Sequence, residues 1–502
     1  MNWLSEMLLP VSRGRQSKVH DRGLAKIVQS GCAVWNPNDK TVILLPEGRR
    51  LYARTQDYLL NALEGFNPQL SDTCGASRGL LDAAVRVVKR SGDLPLLLVQ
   101  RRLDRLEFLG LHTDLEASFD MANDTLRTLG SAICALGVTL RRVDRLIPGG
   151  HAVDLLCRAE TPFRGDEGLC CPECGWMCAA DSPFRFSNDE PAPQDGSALA
   201  EIPTPGCSTI EDLCSYLGVT PDKIVKTMFY TVRGLGLTAV ILRGSRQVCT
   251  EKIRAALHGA ELRPAEPQEL AAVMGDAAGY LGPVGLPAAV TLLADYSVVN
   301  ARDVIVGANK KGCHLKGACW GRDFTTTRIA DLSFVQENDL CPNCGTKLQK
   351  APLRSIARFS PVEPASAADA SLTYFDGTKK LHVSAWSASL DLTSLVSAVI
   401  EKKSCWPREL APFDEYVYWD GSDAPAALSQ LAEAFERRGL RAVGDDRTGR
   451  KLVDRAAEAQ SSCAPEIIFI KEENGAAELD VTRGGSSETL TLDEYLSRFN
   501  AD

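Results

Sequence analysis

The spacing of apolar residues predicts that helices and strands alternate along the first 160 residues. Apolar side chains recur at three- and four-residue intervals over Arg54–Leu63 and Ala117–Leu136, which favours two amphipathic helices. Between them, the short apolar run Pro95–Val99 lies between turn-forming residues and predicts a buried strand. This part of the chain is therefore expected to be mixed α/β structure.

Residues 203–335 have a pattern of their own. A helix is predicted over Ser208–Leu217, because its opening Ser-Thr-Ile-Glu has the spacing of a capping box. Segments rich in proline, serine and acidic residues, 180–200 and 361–370, are typical of linkers. The strands expected after the helix are Lys226–Val232, Thr238–Arg243, Ala289–Leu293 and Val304–Val306.

The last part of the chain, from Trp406, predicts a small α/β domain. No internal repeat is evident in the sequence. The predicted elements are the strand Glu415–Trp419, the helix Ala424–Arg438, the strand Pro465–Ile470 and the helix Leu492–Phe499.

Composition indicates a globular chain with room for two to four domains in its 502 residues, since 44% of them are hydrophobic and 24% charged. The 65 acidic residues outnumber the 56 lysines and arginines, which argues against nonspecific DNA binding but leaves room for a local basic face that holds RNA. No apolar run reaches the roughly 18–20 residues that span a bilayer. The chain is therefore expected to be cytoplasmic, with neither a membrane nor DNA as a partner.

Two cysteine pairs give the sharpest local signal. Each pair is followed by a glycine that permits a tight knuckle, and two knuckles supply the four thiolates of a tetrahedral zinc site. Such a site would be structural, because four protein ligands leave no open position for chemistry. Core cysteines or a redox pair are the alternatives, and Cys170 and Cys178 could substitute as ligands. The two motifs are Cys171-Pro-Glu-Cys174-Gly and Cys341-Pro-Asn-Cys344-Gly.

Several blocks of sequence resemble a bacterial-type prolyl-tRNA synthetase. The resemblance is strongest in a segment similar to the editing domain of that family, which is related to freestanding aminoacyl-tRNA deacylases. Its blocks here are TPGCSTIEDLCSYLGV, KIVKTMFY, GYLGPVGLP and GANKKGCHLKGACWGRDF. Weaker blocks are GLAKIVQSGCAVWN and LLPEGRRLYARTQDYLLNAL near the start, and WPRELAPF and Asp445-Asp-Arg447 near the end.

The resemblance implies an α/β (α+β) fold with four segments. Residues 1–180 and 341–404 would form the antiparallel sheet of a class II synthetase core. Residues 181–340 would be the inserted editing domain, and residues 405–502 would be an anticodon-binding-like domain. The partner implied is tRNA, by default tRNA(Pro), and the family analogy suggests a homodimer.

The sequence departs from the synthetase pattern where ATP and proline would bind. The third class II motif has Ser389 and Asp391 in place of glycines and Ser394 in place of an arginine, and an aspartate there would repel a triphosphate. The second motif is shortened to Gln100–Phe108, although it keeps Arg101, Arg102 and Arg105. The proline-recognition loop aligns with residues 76–80 without its acids, and LRSIARFSPVEPAS stands where the family has a Gly-Ile-Glu-Val-Gly-His block after the second knuckle. ATP and magnesium are therefore not expected as cofactors.

The editing-like segment, in contrast, keeps the residues that match the family's site. The match implies that Lys226 contacts the tRNA terminus or the oxyanion, that Asp295 orients water or the substrate ammonium, and that His314 selects the substrate. Taken alone, these residues would be an exposed strand lysine, a loop cap and a satisfied or surface histidine. Cys313 and Cys319 flank His314 and leave a nucleophilic cysteine open. The implied backbone loops around the aminoacyl adenosine contain Gly279, Gly282, Pro283, Gly307 and Asn309.

The leading interpretation is a prolyl-tRNA synthetase paralogue that no longer activates proline and hydrolyses mischarged aminoacyl-tRNA(Pro) in trans. A divergent ATP-dependent proline–tRNA ligase and a non-catalytic tRNA-binding or regulatory scaffold are the alternatives. A specialised pathway that consumes aminoacyl-tRNA is a further alternative, which the sequence neither supports nor excludes.

Overall fold

A computed structural model gives the fold of the chain. The chain forms two compact units, the first made of residues 1–142, 154–166 and 352–502 and the second of residues 143–153 and 167–351. Helices and several sheets occur together, which confirms the predicted mixed α/β class. Most of the two predicted linkers and residues 76–78 of the segment aligned with the proline-recognition loop lie outside the described residues. Those described are 2–3, 19, 21–36, 38, 41–71, 79–147, 150–161, 167–184, 196–275, 277–362, 372–421, 423–447, 449–473 and 476–501.

The first unit contains a largely antiparallel sheet. Strand Leu96–Arg101 pairs antiparallel with Arg105–His112, which pairs in turn with Ser384–Asp391. The apolar run predicted at Pro95–Val99 forms the first of these strands, and its central residues are buried. Other strands of this part are Ala33–Asn36, Thr41–Leu44, Gln69–Ser71, Thr373–Phe375 and Lys380–His382. The helices are Arg22–Gln29, Pro46–Ala62, Gly79–Val87, Leu115–Ala135 and Leu392–Glu401.

A second sheet in the first unit is built by the last ninety residues and Asn2–Trp3. Its strands Ala442–Asp445, Glu415–Trp419 and Glu466–Glu473 are parallel neighbours, and their apolar residues pack with the helices around one core. The sheet ends in antiparallel hairpins formed by Ala476–Arg483 and Ser486–Thr491, which the sequence did not predict. The helices are Ala427–Arg437, Leu452–Ser461 and Leu492–Ala501.

The second unit contains a five-stranded and a three-stranded sheet. In the first, strand Val225–Val232 pairs antiparallel with Gly236–Arg243, which pairs parallel with Thr291–Asp295. The outer strands are Leu262–Pro264 and Ile329–Ala330. The three-stranded sheet comprises Ala200–Pro203, Cys313–Ala318 and Val304–Gly307. The second unit also contains the strands Glu167–Cys170 and Met177–Cys178 and the helices Ile210–Leu217, Thr250–Ala256 and Pro267–Met274.

Three further strands, Arg141–Ile147, Gly150–Arg158 and Gln349–Pro361, contain three of the four points where the chain passes from one unit to the other, and the fourth lies between residues 166 and 167. Within the described residues, no helix combines the length and the apolar character needed to cross a membrane.

Two local predictions in the second unit need correction. The helix cap is Thr209 rather than Ser208, because the Thr209 side chain accepts a hydrogen bond from the amide of Asp212 at 3.1 Å. The strand predicted at Ala289–Leu293 begins two residues later, at Thr291. A turn closed by the Val290 amide and the Pro287 carbonyl, 2.9 Å apart, occupies the preceding residues.

Candidate active site and cysteine cluster

A cavity of about 380 Å³ lies in the second unit. It lies where the first turn of helix Ile210–Leu217, the start of strand Val225–Val232 and two glycine loops meet. Four predicted site residues line it together, namely Lys226, Gly279, Gly307 and His314. Most of the remaining lining is apolar and includes Ile210, Leu213, Ile224, Phe229, Leu270 and Leu281.

Lys226 is a half-buried residue in the lining of this cavity. Its Nζ donates a long hydrogen bond of 3.4 Å to the carbonyl oxygen of Gly244. Burial lowers the pKa of Lys226, and the nearby Glu211 carboxylate opposes that shift. Since a carbonyl is a neutral partner, the positive charge at this position is available to an anionic group of a ligand.

His314 is buried and held from two sides. Its Nδ1 shares a hydrogen bond of 2.6 Å with Oγ1 of Thr204, a fully buried residue. The ring also packs against Tyr280, with 5.5 Å between ring centroids. Burial lowers the pKa of His314, which favours the neutral imidazole near pH 7. That Thr204 is its partner could not be predicted from the sequence, since 110 residues separate the two.

The two glycine loops form one wall of the cavity. The amide of Gly282 donates to Oδ1 of Asn309 at 2.8 Å, and Nδ2 of Asn309 donates to the Val284 carbonyl at 2.8 Å. Asn309 therefore ties the loops together, while Gly279 and Gly307 reach the cavity itself. Gly282, Pro283 and Asn309 are not among its lining residues.

Asp295 lies apart from the cavity lining and is fully buried. One carboxylate oxygen accepts the amide of Ser297 at 2.9 Å and caps a short 3₁₀ turn, and the other accepts the amide of Leu332 at 2.8 Å. The structure thus places Asp295 as a buried cap between two segments. Its catalytic role stays a prediction that this geometry does not support.

The two cysteines beside His314 do not line the cavity. Cys319 is buried, and its thiol lies 3.6 Å from the carbonyl oxygen of Gly317. Burial and the neighbouring Glu201 carboxylate raise the pKa of Cys313. A thiol with a raised pKa is a weaker source of thiolate, so this arrangement does not favour a cysteine nucleophile.

The four predicted knuckle cysteines form a cluster, and all their sulfur atoms lie within 4.8 Å of one another. Cys171 and Cys344 are 3.4 Å apart, and Cys174 and Cys341 are 3.6 Å apart, measured between sulfurs. Tetrahedral zinc with Zn–S bonds of about 2.3 Å needs sulfurs roughly 3.8 Å apart, so the cluster fits such an ion. Among the described residues, Cys170 and Cys178 do not belong to this cluster.

The strands that contain the segments predicted to be the second and third synthetase motifs are neighbours in the first unit, with Asp391 opposite Arg105. The Asp391 carboxylate accepts the amide of Ser394 at 2.7 Å and caps helix Leu392–Glu401. The arginines of the second motif are paired with acids, as in Arg101–Asp57 at 2.7 Å, Arg102–Glu107 at 3.2 Å and Arg105–Asp104 at 3.0 Å.

Residues 204–324 match the family described as the aminoacyl-tRNA editing domain. This range contains the whole lining of the cavity, so the second unit contains an aminoacyl-tRNA editing domain. The predicted resemblance to the editing domain is thereby confirmed.

The chain is also similar to proline–tRNA ligases. It is 31% identical to that of Streptomyces griseus over 344 residues, which is 66% of this chain and 60% of the relative. The ligase of Dehalococcoides mccartyi is 31% identical over 360 residues, with coverages of 66% and 60%. That of Kosmotoga olearia is 27% identical over 313 residues, with coverages of 60% and 53%. The matched part of the chain thus spans between 53% and 60% of the length of these relatives.

Proposed function

We propose that this protein is a prolyl-tRNA synthetase paralogue that hydrolyses mischarged aminoacyl-tRNA, by default alanyl-tRNA(Pro), and does not activate proline. The observation that carries the proposal is the cavity at which Lys226, His314, Gly279 and Gly307 meet inside the editing domain. These side chains and loops come from four separate segments of the chain.

The chemistry required is modest, because an aminoacyl ester is already activated. Attack by water turns the ester carbonyl into an oxyanion, which a nearby cation stabilises. Lys226 supplies that cation, or holds the adjacent terminal phosphate of the tRNA. The neutral, fixed imidazole of His314 forms the side of the pocket that selects the aminoacyl group.

The buried position of Asp295 supports a positioning role. By accepting two backbone amides, its carboxylate joins the end of strand Thr291–Asp295 to the segment at Leu332. A variant of Asp295 would then lower turnover through loss of local structure rather than loss of a proton acceptor.

The geometry of the synthetase-like unit supports loss of the ligase. ATP would meet the carboxylate of Asp391 and the buried Ser394 where the family has glycine and arginine. A triphosphate needs permanently charged, forked donors, and a serine hydroxyl does not supply them. ATP and magnesium are therefore not part of the proposed reaction.

The remaining features of the proposal concern partners and organisation. The similarity to proline–tRNA ligases supports tRNA, with tRNA(Pro) as the default, as the partner. The proposed organisation keeps a synthetase-like core at 1–180 and 341–404, the editing insertion at 181–340 and an anticodon-binding-like domain at 405–502, in a homodimer located in the cytoplasm. Zinc at the cysteine cluster would tie together the two ends of the insertion without taking part in hydrolysis.

The test is single-turnover hydrolysis of alanyl-, cysteinyl- and prolyl-tRNA(Pro) by the full chain. The proposal predicts that alanyl-tRNA(Pro) is cleared faster than in buffer and that prolyl-tRNA(Pro) is spared. If none of the three esters is cleared faster than in buffer, the hydrolase proposal fails and the scaffold interpretation replaces it.

A further inference from the structure

Thr227 carries a polar atom that no group of the described protein satisfies. Thr227 is one of the residues that line the cavity, and its Oγ1 is buried and has no hydrogen-bond partner among the described residues. An unsatisfied buried hydroxyl lowers the stability of the fold, and valine has the same shape without that cost. A hydroxyl at this point is therefore suited to a ligand that enters the cavity.

The strand register adds main-chain groups at the same place. The amide of Gly244 donates to the carbonyl of Ile224 at 2.8 Å. In strand Val225–Val232, the even-numbered residues are therefore those whose backbone groups bond to strand Gly236–Arg243. The N–H and C=O of Thr227 consequently point to the opposite edge. On that edge, strand Leu262–Pro264 pairs with Tyr230–Val232, and the amide of Ala265 donates to the carbonyl of Phe229 at 3.0 Å, so these contacts begin two residues after Thr227.

The charges around the cavity favour a particular ligand group at this edge. Lys226 is the cation among the described lining residues, and that lining contains no carboxylate. Since successive side chains of a strand point to opposite faces, Lys226 and Thr227 lie on different sides of it. A cationic group of the ligand would be repelled by the Lys226 ammonium and accepted by the oxygens of Thr227.

We propose that Thr227 is the residue that binds the α-ammonium group of the aminoacyl ester. Its Oγ1 and carbonyl oxygen accept N–H groups of the ammonium, while the ester carbonyl faces Lys226. The substrate class is therefore esters of amino acids with a free α-amino group, and N-acylated or peptidyl esters are excluded. This inference rests on the hydrolase function proposed above.

The decisive comparison uses Thr227→Val and Thr227→Ser with two esters of the same tRNA. One is alanyl-tRNA(Pro), and the other is lactyl-tRNA(Pro), in which a hydroxyl replaces the ammonium. Thr227→Val should lower hydrolysis of the alanyl ester about 10- to 100-fold, the range for a lost hydrogen bond to a charged group. The lactyl ester should be little affected, and Thr227→Ser should keep most of the wild-type activity. Equal losses on both esters, or no loss on the alanyl ester, would overturn the assignment.

A binding measurement separates this inference from the hydrolase proposal. The probe is 3′-alanylamino-3′-deoxyadenosine, whose amide resists hydrolysis, titrated calorimetrically against its lactyl counterpart. If the wild type hydrolyses no ester but prefers the alanyl probe, and Thr227→Val loses that preference, the ammonium site stands and the hydrolase proposal falls. If the wild type neither hydrolyses the esters nor distinguishes the probes, both are wrong.

Discussion

A Cβ atom at Gly282 would overlap the carbonyl oxygen of Gly307, so neither loop can carry a side chain where the two meet. A Cβ at Gly307 would likewise overlap the carbonyls of Tyr280 and Leu281. This contact, together with the hydrogen bonds of Asn309, fixes the wall of the cavity beside His314. The requirement for glycine here is therefore one of space, because neither residue has a positive φ.

Gly307→Ala should accordingly push the two loops apart. We expect overpacking to lower the free energy of unfolding by about 1–3 kcal/mol. The hydrolysis rate should fall even where the variant is fully folded, because the displaced backbone lines the site. Gly65→Ala is the control, since a Cβ at Gly65 would meet nothing within 4 Å. Thermal unfolding and single-turnover rates of both variants check this. Gly307→Ala with unchanged activity and stability would show that the loops adapt.

His314 should make the stability of the protein depend on pH. Its pKa in the folded protein lies below the ordinary value near 6.5, so at pH values between the two the unfolded chain binds a proton that the folded chain does not. Stability from this residue is present above about pH 6.5 and decreases as the pH falls through the folded pKa. The melting temperature should thus drop less between about pH 7.5 and about pH 5.5 in His314→Gln than in the wild type. Identical drops would contradict the buried, neutral imidazole.

The cysteine cluster should hold one zinc ion per chain. Sulfurs within 4.8 Å of one another can all reach one tetrahedral ion, so metal analysis of protein purified without chelator should give about one equivalent. Cys341→Ser should lose the metal and unfold the second unit at lower temperature. Cys134→Ser, which changes an exposed helical cysteine outside the cluster, should keep both. Metal-free protein with a wild-type melting temperature would show that the cluster is not a structural site.

The synthetase-like unit should not catalyse proline-dependent ATP–pyrophosphate exchange. Loss of an arginine that clamps phosphates costs ~10³-fold or more in phosphoryl-transfer systems. The proposed alignment puts Ser394 and Asp391, at the start of helix Leu392–Glu401, at the positions of that motif. A proline–tRNA ligase assayed in parallel provides the positive control. Exchange at a comparable rate would establish this chain as a divergent ligase.

The sequence predicted a structural feature best where a single local pattern, such as an apolar run or a cysteine spacing, determines it. Strand Glu415–Trp419 has its predicted bounds, because its apolar residues are buried between helices in a parallel sheet. The cysteine cluster also followed from spacing alone, since each Cys-x-x-Cys-Gly turn fixes two ligands locally.

The parts that escaped prediction depend on contacts between distant segments. The sequence matched Asp295 to an acidic position that orients water or the substrate ammonium, whereas in the fold its oxygens accept the backbone amides of Ser297 and Leu332. The role proposed for Thr227 likewise depends on strand register and on the cavity, and neither can be predicted from the local sequence Val-Lys-Thr. The predicted start of strand Thr291–Asp295 was two residues too early, because the residues before it are apolar but form a turn.

The most direct test of the hydrolase account compares Lys226→Ala with Lys223→Ala. Both remove one lysine from the same stretch of chain, but only Lys226 lines the cavity, whereas Lys223 is exposed. The measurement is the single-turnover rate of alanyl-tRNA(Pro) hydrolysis by the two variants and the wild type. The account predicts that Lys226→Ala loses about 10²–10³-fold, the cost of one oxyanion contact, while Lys223→Ala stays near the wild-type rate. Equal rates for Lys226→Ala and the wild type would contradict it.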